Sequence, residues 1–200
     1  MKGQWTNIYS GDLALRSWWV DSVNDCKYVS ILLPEVFGIN NWIRSFSEKL
    51  AQQNVPVLAL PLYGRTAPNL DLEYSEEDLK LGRHHKNLTT LKNIIDDVSA
   101  AINWVKEKYP SKKISIIGFC FGGHAAFIAS SLKGIESSFC FYGAGIVSLR
   151  NDTNSAPIDL LEKVSGKLNF ICGSSDDLIP LRDRLEIKKR FKKLDPFGKR

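Results

Sequence analysis

An α/β fold, a mostly parallel sheet with helices on both faces, is the class this sequence predicts, and three observations carry it. Short apolar runs alternate with stretches whose apolar residues recur every three or four positions, the order that builds parallel strands joined by crossover helices. The β-branched run Ile114 to Ile117 drives straight into Gly118-Phe119-Cys120-Phe121-Gly122-Gly123, and a helical pattern follows at once. A chain of 200 residues with 44% hydrophobic content is long and apolar enough for one domain, residues 1–200, around a full core.

The elements follow in order. Trp5 to Tyr9 and Leu13 to Val20, separated by Ser10-Gly11-Asp12, read as a β-hairpin. Val29 to Leu33 is a buried-strand run that stops at Pro34. Asn40-Asn41 can cap a helix through about Gln53, because Trp42, Ile43, Phe46 and Leu50 fall on one face. Val55 to Leu60 is the next strand. The loop-rich stretch from Pro61 to Asn87 holds a short helix capped by Ser75 over Glu76-Glu77-Asp78. Leu91, Ile94, Ile95, Val98, Ile102 and Val105 mark the apolar face of a long helix from about Leu88 to Lys108. The strand before Gly118 leads into a helix over Gly122 to Leu132, and strands over Ser138 to Tyr142 and Leu168 to Cys172 come next. A basic, weakly amphipathic helix at about 181–194 closes the pattern.

Composition removes several function classes. No apolar stretch reaches the roughly 18 residues of a membrane span, and Lys2 precedes no apolar run of the signal-peptide kind. Cys26, Cys120, Cys140 and Cys172 include no C-x-x-C pair and no ligand-like spacing, so neither a metal nor a disulfide framework is expected, and a reducing cytoplasm is the simplest setting. The net charge of +5 is local: residues 182–200 hold nine Lys/Arg against three Asp/Glu, which leaves the remaining chain at −1. Without aromatic residues interleaved among those cations, a solvated helix face is expected there, not nucleic acid or a membrane surface. Gly118, Gly122 and Gly123 do not make G-x-G-x-x-G, so no dinucleotide site is expected.

The chemistry gathers at one end of the sheet. Gly-x-Cys-x-Gly between strand and helix is the setting of a nucleophile elbow, where small residues on both sides permit a strained turn that lifts the nucleophile above the sheet. The helix after Cys120 aims unpaired N–H groups and its positive dipole end at the thiol, which is therefore expected to ionise more readily than a free cysteine. Ligands of such sheets bind beyond the carboxyl ends of the strands. Three more segments bring polar residues there: Leu33-Pro34-Glu35-Val36-Phe37-Gly38, Leu62-Tyr63-Gly64-Arg65 and Gly173-Ser174-Ser175-Asp176-Asp177-Leu178-Ile179-Pro180.

These segments carry a family resemblance. Glu35-Val36-Phe37-Gly38, Leu62-Tyr63-x-Arg65-x-x-Pro68, Gly118-x-Cys120-x-Gly122-Gly123 and Gly173-x-x-Asp176-x-x-x-Pro180, in this order, resemble the dienelactone hydrolase family of the α/β-hydrolase superfamily from about Ile31 to Pro180. The resemblance implies hydrolysis of a small ester or lactone, often one bearing a carboxylate, with no metal or organic cofactor. It implies Cys120 as nucleophile, Asp176 as triad acid and Glu35 as the residue that contacts the resting thiol. The backbone N–H groups of Val36 and Phe121 would hold the oxyanion, and Arg65 would grip a substrate carboxylate.

One part of the family pattern has no match. A Gly-x-x-His-x-Phe-like segment, followed by a second arginine, would come one helix and one strand after the acid. Here the helix after Asp176 runs into Asp195-Pro196-Phe197-Gly198-Lys199-Arg200. The histidines are His84, His85 and His124, and none follows Asp176. His84-His85 reads as a solvated face and His124, one helical turn beyond Cys120, as a packed or solvated residue rather than a substitute base. The expectation is a hydrolase that lacks the last strand, the last helix and the triad histidine, and is impaired about 10⁴- to 10⁶-fold. The alternatives are a non-catalytic relative that binds a small molecule or partner, and a shortened remnant. Its strand at Leu168 to Cys172 would offer an open edge, so the expected state is a monomer or a weak self-associate through that edge.

Overall fold

The computed structural model describes residues 2–24 and 26–195, and the expected 196–200 part of the C-terminal run lies outside them. Seven strands form one sheet: β1 (Gln4–Ser10), β2 (Leu13–Val20), β3 (Tyr28–Leu33), β4 (Val57–Ala59), β5 (Lys113–Phe119), β6 (Ile135–Phe141) and β7 (Lys167–Ile171). The helices are α1 (Asn41–Gln52), α2 (Glu76–Leu88), α3 (Leu91–Lys108), α4 (Phe121–Ala129) and α5 (Leu181–Leu194). The order across the sheet is β1-β2-β4-β3-β5-β6-β7. The β1–β2 hairpin joins antiparallel, and every pairing from β4 to β7 is parallel, which is the α/β class expected.

Alternation along the strands decides the two layers. Val29, Ile31 and Leu33 of β3, with Ile114 and Ile116 of β5, pack on α3 and α4. Leu32 and Phe119 face the other way, onto Ile43 of α1. Phe127 of α4 is fully buried and meets Phe170 of β7 and Phe191 of α5. Beyond β5 the α1 layer stops: Lys167, Asn169 and Ile171 of β7 are exposed, and among the described residues β7 pairs only with β6.

Boundary differences have local causes. The expected Val55–Leu60 strand contracts to Val57–Ala59 because Pro56 has no N–H to donate, although the Leu60 N–H still bonds the Leu32 carbonyl at 2.9 Å. The short helix capped by Ser75 runs on to Leu88, and Thr90, whose hydroxyl accepts from the Asn93 N–H at 3.1 Å, starts α3 afresh. The 3₁₀ segment Pro157–Lys163 was not anticipated; its only signals are Pro157 and Asp159, whose carboxylate accepts from the Ala156 N–H at 3.1 Å.

Candidate active site

Cys120 sits between β5 and α4 with φ 54° and ψ −116°, a conformation that non-glycine residues avoid. Its neighbours make the bend possible. A Cβ at Gly118 would lie 1.9 Å from the Gly122 carbonyl oxygen, and one at Gly123 would lie 2.3 Å from that of Phe141. Only hydrogen fits at those points, so the helix can start directly on the strand end. The Cys120 N–H extends the sheet to the Phe141 carbonyl at 3.1 Å, while its carbonyl accepts the first helical bond from the His124 N–H at 3.1 Å. The thiol is half-buried, and the Phe121 N–H at the helix start favours its ionised form.

The thiol's ionisation corrects the sequence expectation. Burial pushes it above the ordinary value of 9.0. The Phe121 N–H acts against that rise, the Glu35 carboxylate adds to it, and Lys86 and Arg83 oppose it. Desolvation of the thiolate by burial outweighs the helix terminus. Alkylation of Cys120 by iodoacetamide is therefore expected to keep accelerating with pH past 9.0, since the thiolate is the reactive form. A plateau below about pH 8 in the labelling of the Cys120 peptide, read by mass spectrometry, would overturn the buried-thiol account.

Glu35 comes from the loop after β3, within electrostatic reach of the sulfur. Its carboxylate accepts from the Tyr74 hydroxyl at 3.1 Å and from the Tyr142 hydroxyl at 3.4 Å. Tyr142 follows β6 at φ 40°, a second strained residue at the same sheet end. Burial and the Glu35 charge raise both phenols, so they remain protonated donors. The loop that carries Glu35 is held from two sides. Gly38, at φ 78°, lies so close to Leu70 that a Cβ would sit 2.2 Å from its carbonyl oxygen. Gly82 lets α2 cross Val36 equally closely, with 2.4 Å from a would-be Cβ to the Val36 oxygen.

The other expected residues are distributed differently. Arg65 pairs with the buried Asp97 at 2.5 Å, and it lines a hollow of about 660 Å³ between the β1–β2 turn and α3 with Tyr9, Ser99 and Asn103. The cations whose fields reach the Cys120 sulfur are instead Lys86 and Arg83 of α2. Asp176 follows β7, half-buried, and its carboxylate caps its own turn by accepting from the Leu178 N–H at 2.9 Å.

His124 is packed, as expected. Arg150 can only donate, so its contact at 2.8 Å makes Nε2 the acceptor, and Nδ1–H donates to the Ala144 carbonyl at 2.8 Å. Burial, reinforced by the Arg150 charge, lowers His124 to about 4 from the ordinary 6.5. The unfolded chain takes up this proton near 6.5 and the fold resists it until about 4, so the contribution is complete above 6.5 and lost as pH falls between the two. That loss amounts to about 3 kcal/mol. His124→Asn keeps a donor for the Ala144 carbonyl but cannot titrate; its stability is expected to fall less steeply over this window in denaturant unfolding. Parallel pH profiles for the two proteins would overturn the assignment. His84 is exposed, but His85 departs from the solvated-face expectation: its ring lies 5.9 Å from that of Tyr63, and its Nδ1 is buried.

Tyr74, Tyr142, Lys86, Arg83 and Tyr63 were not singled out from sequence. Tyr142 had a usable signal, a polar residue at the carboxyl end of a strand beside Gly143. Tyr74 lies in an irregular loop and had none.

The sequence profile of the dienelactone hydrolase family matches residues 18–196. A Synechocystis sp. protein, provisionally named a carboxymethylenebutenolidase, is 32% identical over 167 residues, which are 82% of this chain and 68% of that protein. The carboxymethylenebutenolidase of Pseudomonas putida is 25% identical over 158 residues, 76% of this chain and 65% of its own length. The chain thus matches about two thirds of the length of these curated relatives. A crystal structure from Klebsiella pneumoniae, provisionally named a dienelactone hydrolase, superposes with a TM-score of 0.83 at 19% identity, over 96% of this chain and 80% of its own. At that identity the likeness is one of fold.

Proposed function

The chain belongs to the dienelactone hydrolase family, and on that premise we propose that it attacks small esters or lactones through the sulfur of Cys120. The observation that carries this reading is the bend at φ 54° and ψ −116°, which sets Cys120 directly at the start of α4. A strained backbone of this kind costs on the order of 1–3 kcal/mol and persists where it presents a reactive group.

In this reading the thiolate adds to the carbonyl carbon, and the electron pair of the C=O bond moves to oxygen. The amides of Phe121 and Val36 receive that charge. Glu35, held by two phenols, takes a proton from the thiol when substrate displaces water from around it. Lys86 and Arg83 draw a carboxylate-bearing substrate toward the sulfur, the role the family resemblance implied for Arg65, whose guanidinium Asp97 already holds. Asp176 is the triad acid of the family pattern. The names of the relatives, carboxymethylenebutenolidases, support a lactone as the substrate class. Four free cysteines support a reducing compartment.

Among the described residues no histidine follows Asp176, and His124 has both nitrogens engaged. Acylation then needs only the thiolate, whereas deacylation needs an activated water. With p-nitrophenyl acetate the 200-residue protein is expected to release about one equivalent of nitrophenolate in a burst and then turn over very slowly. Rapid steady turnover would sink the impairment. Asp176, occupied by its own turn, favours a second reading, a non-catalytic relative that keeps the pocket; absence of any burst would select it.

A further inference from the structure

One polar atom beside the elbow lacks a structural reason. Tyr63 is 2% exposed, and its hydroxyl is buried with no hydrogen-bond partner among the described residues. Its ring lies parallel to that of Phe121, the residue after Cys120, at 6.0 Å between centroids and 9° between planes. Its backbone is pinned, since the Thr66 and Ala67 N–H groups donate to the Tyr63 carbonyl at 3.0 and 2.7 Å. The position is therefore held, while the hydroxyl is left unused.

An unpartnered buried hydroxyl is costly, and native folds seldom keep one without use. A second orphan belongs to a neighbouring ring: the buried Nδ1 of His85, whose imidazole is 5.9 Å from the Tyr63 ring. Two buried polar atoms without partners, on neighbouring rings, leave hydrogen-bonding capacity here for a polar group that arrives from outside. Burial and the nearby Cys120 charge both raise the phenol, so it remains a donor at every working pH and cannot serve as a base.

We propose that the Tyr63 hydroxyl is a catalytic hydrogen-bond donor that receives the substrate's carbonyl oxygen as Cys120 attacks. The inference rests on the hydrolase reading above. When the sulfur–carbon bond forms and the C=O π pair moves to oxygen, that oxygen accepts from Tyr63 O–H alongside the backbone amides. No proton is transferred, and collapse restores the C=O bond and expels the leaving group, which for p-nitrophenolate needs no acid. A donor that bonds only the developing charge lowers the barrier without tightening ground-state binding.

The test pairs two reactions of one sulfur. Acylation by p-nitrophenyl acetate passes through an oxyanion, whereas alkylation by iodoacetamide does not. Tyr63→Phe is expected to slow the acylation burst about 10- to 100-fold, leave alkylation of the Cys120 peptide within about twofold, and leave the thermal midpoint unchanged or higher. Acylation within about twofold of the unsubstituted protein overturns this inference alone. Equal losses in acylation and alkylation also overturn it, because they place the effect on the thiol or the packing. An unsubstituted protein that is alkylated but never acylated overturns the hydrolase reading itself, and this inference with it.

Discussion

Cys120→Ala is expected to remove the acyl burst completely while leaving the fold intact. Without the sulfur no covalent adduct can form, and losing the nucleophile of an acyl-transfer site costs about 10⁴- to 10⁶-fold. Alanine has a Cβ like cysteine, so the strain at φ 54° is retained, and the stability change should stay within about 1 kcal/mol. Cys172 is the competing thiol to watch. It is half-buried, with the Asp176 and Arg184 charges in reach, and burial pushes its thiol above the ordinary value of 9.0 too. Peptide mapping of the acylated protein separates the two. A burst that survives Cys120→Ala, or label found on Cys172, would refute the assignment.

Gly122→Ala is expected to cost about 3 kcal/mol of stability, a fall of roughly 10 °C in the thermal midpoint. The added Cβ would lie 2.1 Å from the Leu33 carbonyl oxygen and 2.6 Å from that of Pro34. Both are backbone atoms at the end of β3, so no rotamer change can relieve the contact. Either α4 lifts away from the sheet or the loop carrying Glu35 shifts, and both displace Cys120 from its partners. Acylation should fall with stability. Gly173→Ala is the control: its Cβ would meet only the Asp176 Cβ, at 3.9 Å, and an effect within about 0.5 kcal/mol is expected. Equal effects at the two positions would show that close backbone approach is not what Gly122 supplies.

How much of this was legible beforehand varies by residue for physical reasons. The sequence pattern matches α5 at about 181–194 and places the cap of α1 within Asn40-Asn41, of which Asn40 is the cap, because helical period and side-chain caps are local signals. The boundary between α2 and α3 was missed because Thr90 competes with Asn87 and Thr89 as a cap, and only the packed structure selects among them. Glu35 was legible through its motif, but Tyr74 and Tyr142, which hold its carboxylate, are 39 and 107 residues away from it along the chain. Arg65 stood in a motif yet met Asp97 of α3, a partner 32 residues on that nothing in its own segment announces.

By itself the order of residues determined the α/β class, the bend at Cys120 and the loop bearing Glu35, since each depends on neighbours within a few positions: β-branched runs, glycines at fixed offsets, a polar residue after a strand. Tertiary structure alone decided the thiol's ionisation, the cations that face it, the engagement of both His124 nitrogens and the unpartnered Tyr63 hydroxyl. Burial and long-range fields depend on which segments pack together, and in this fold the loop after β3, α2 and the elbow converge from positions far apart in the chain.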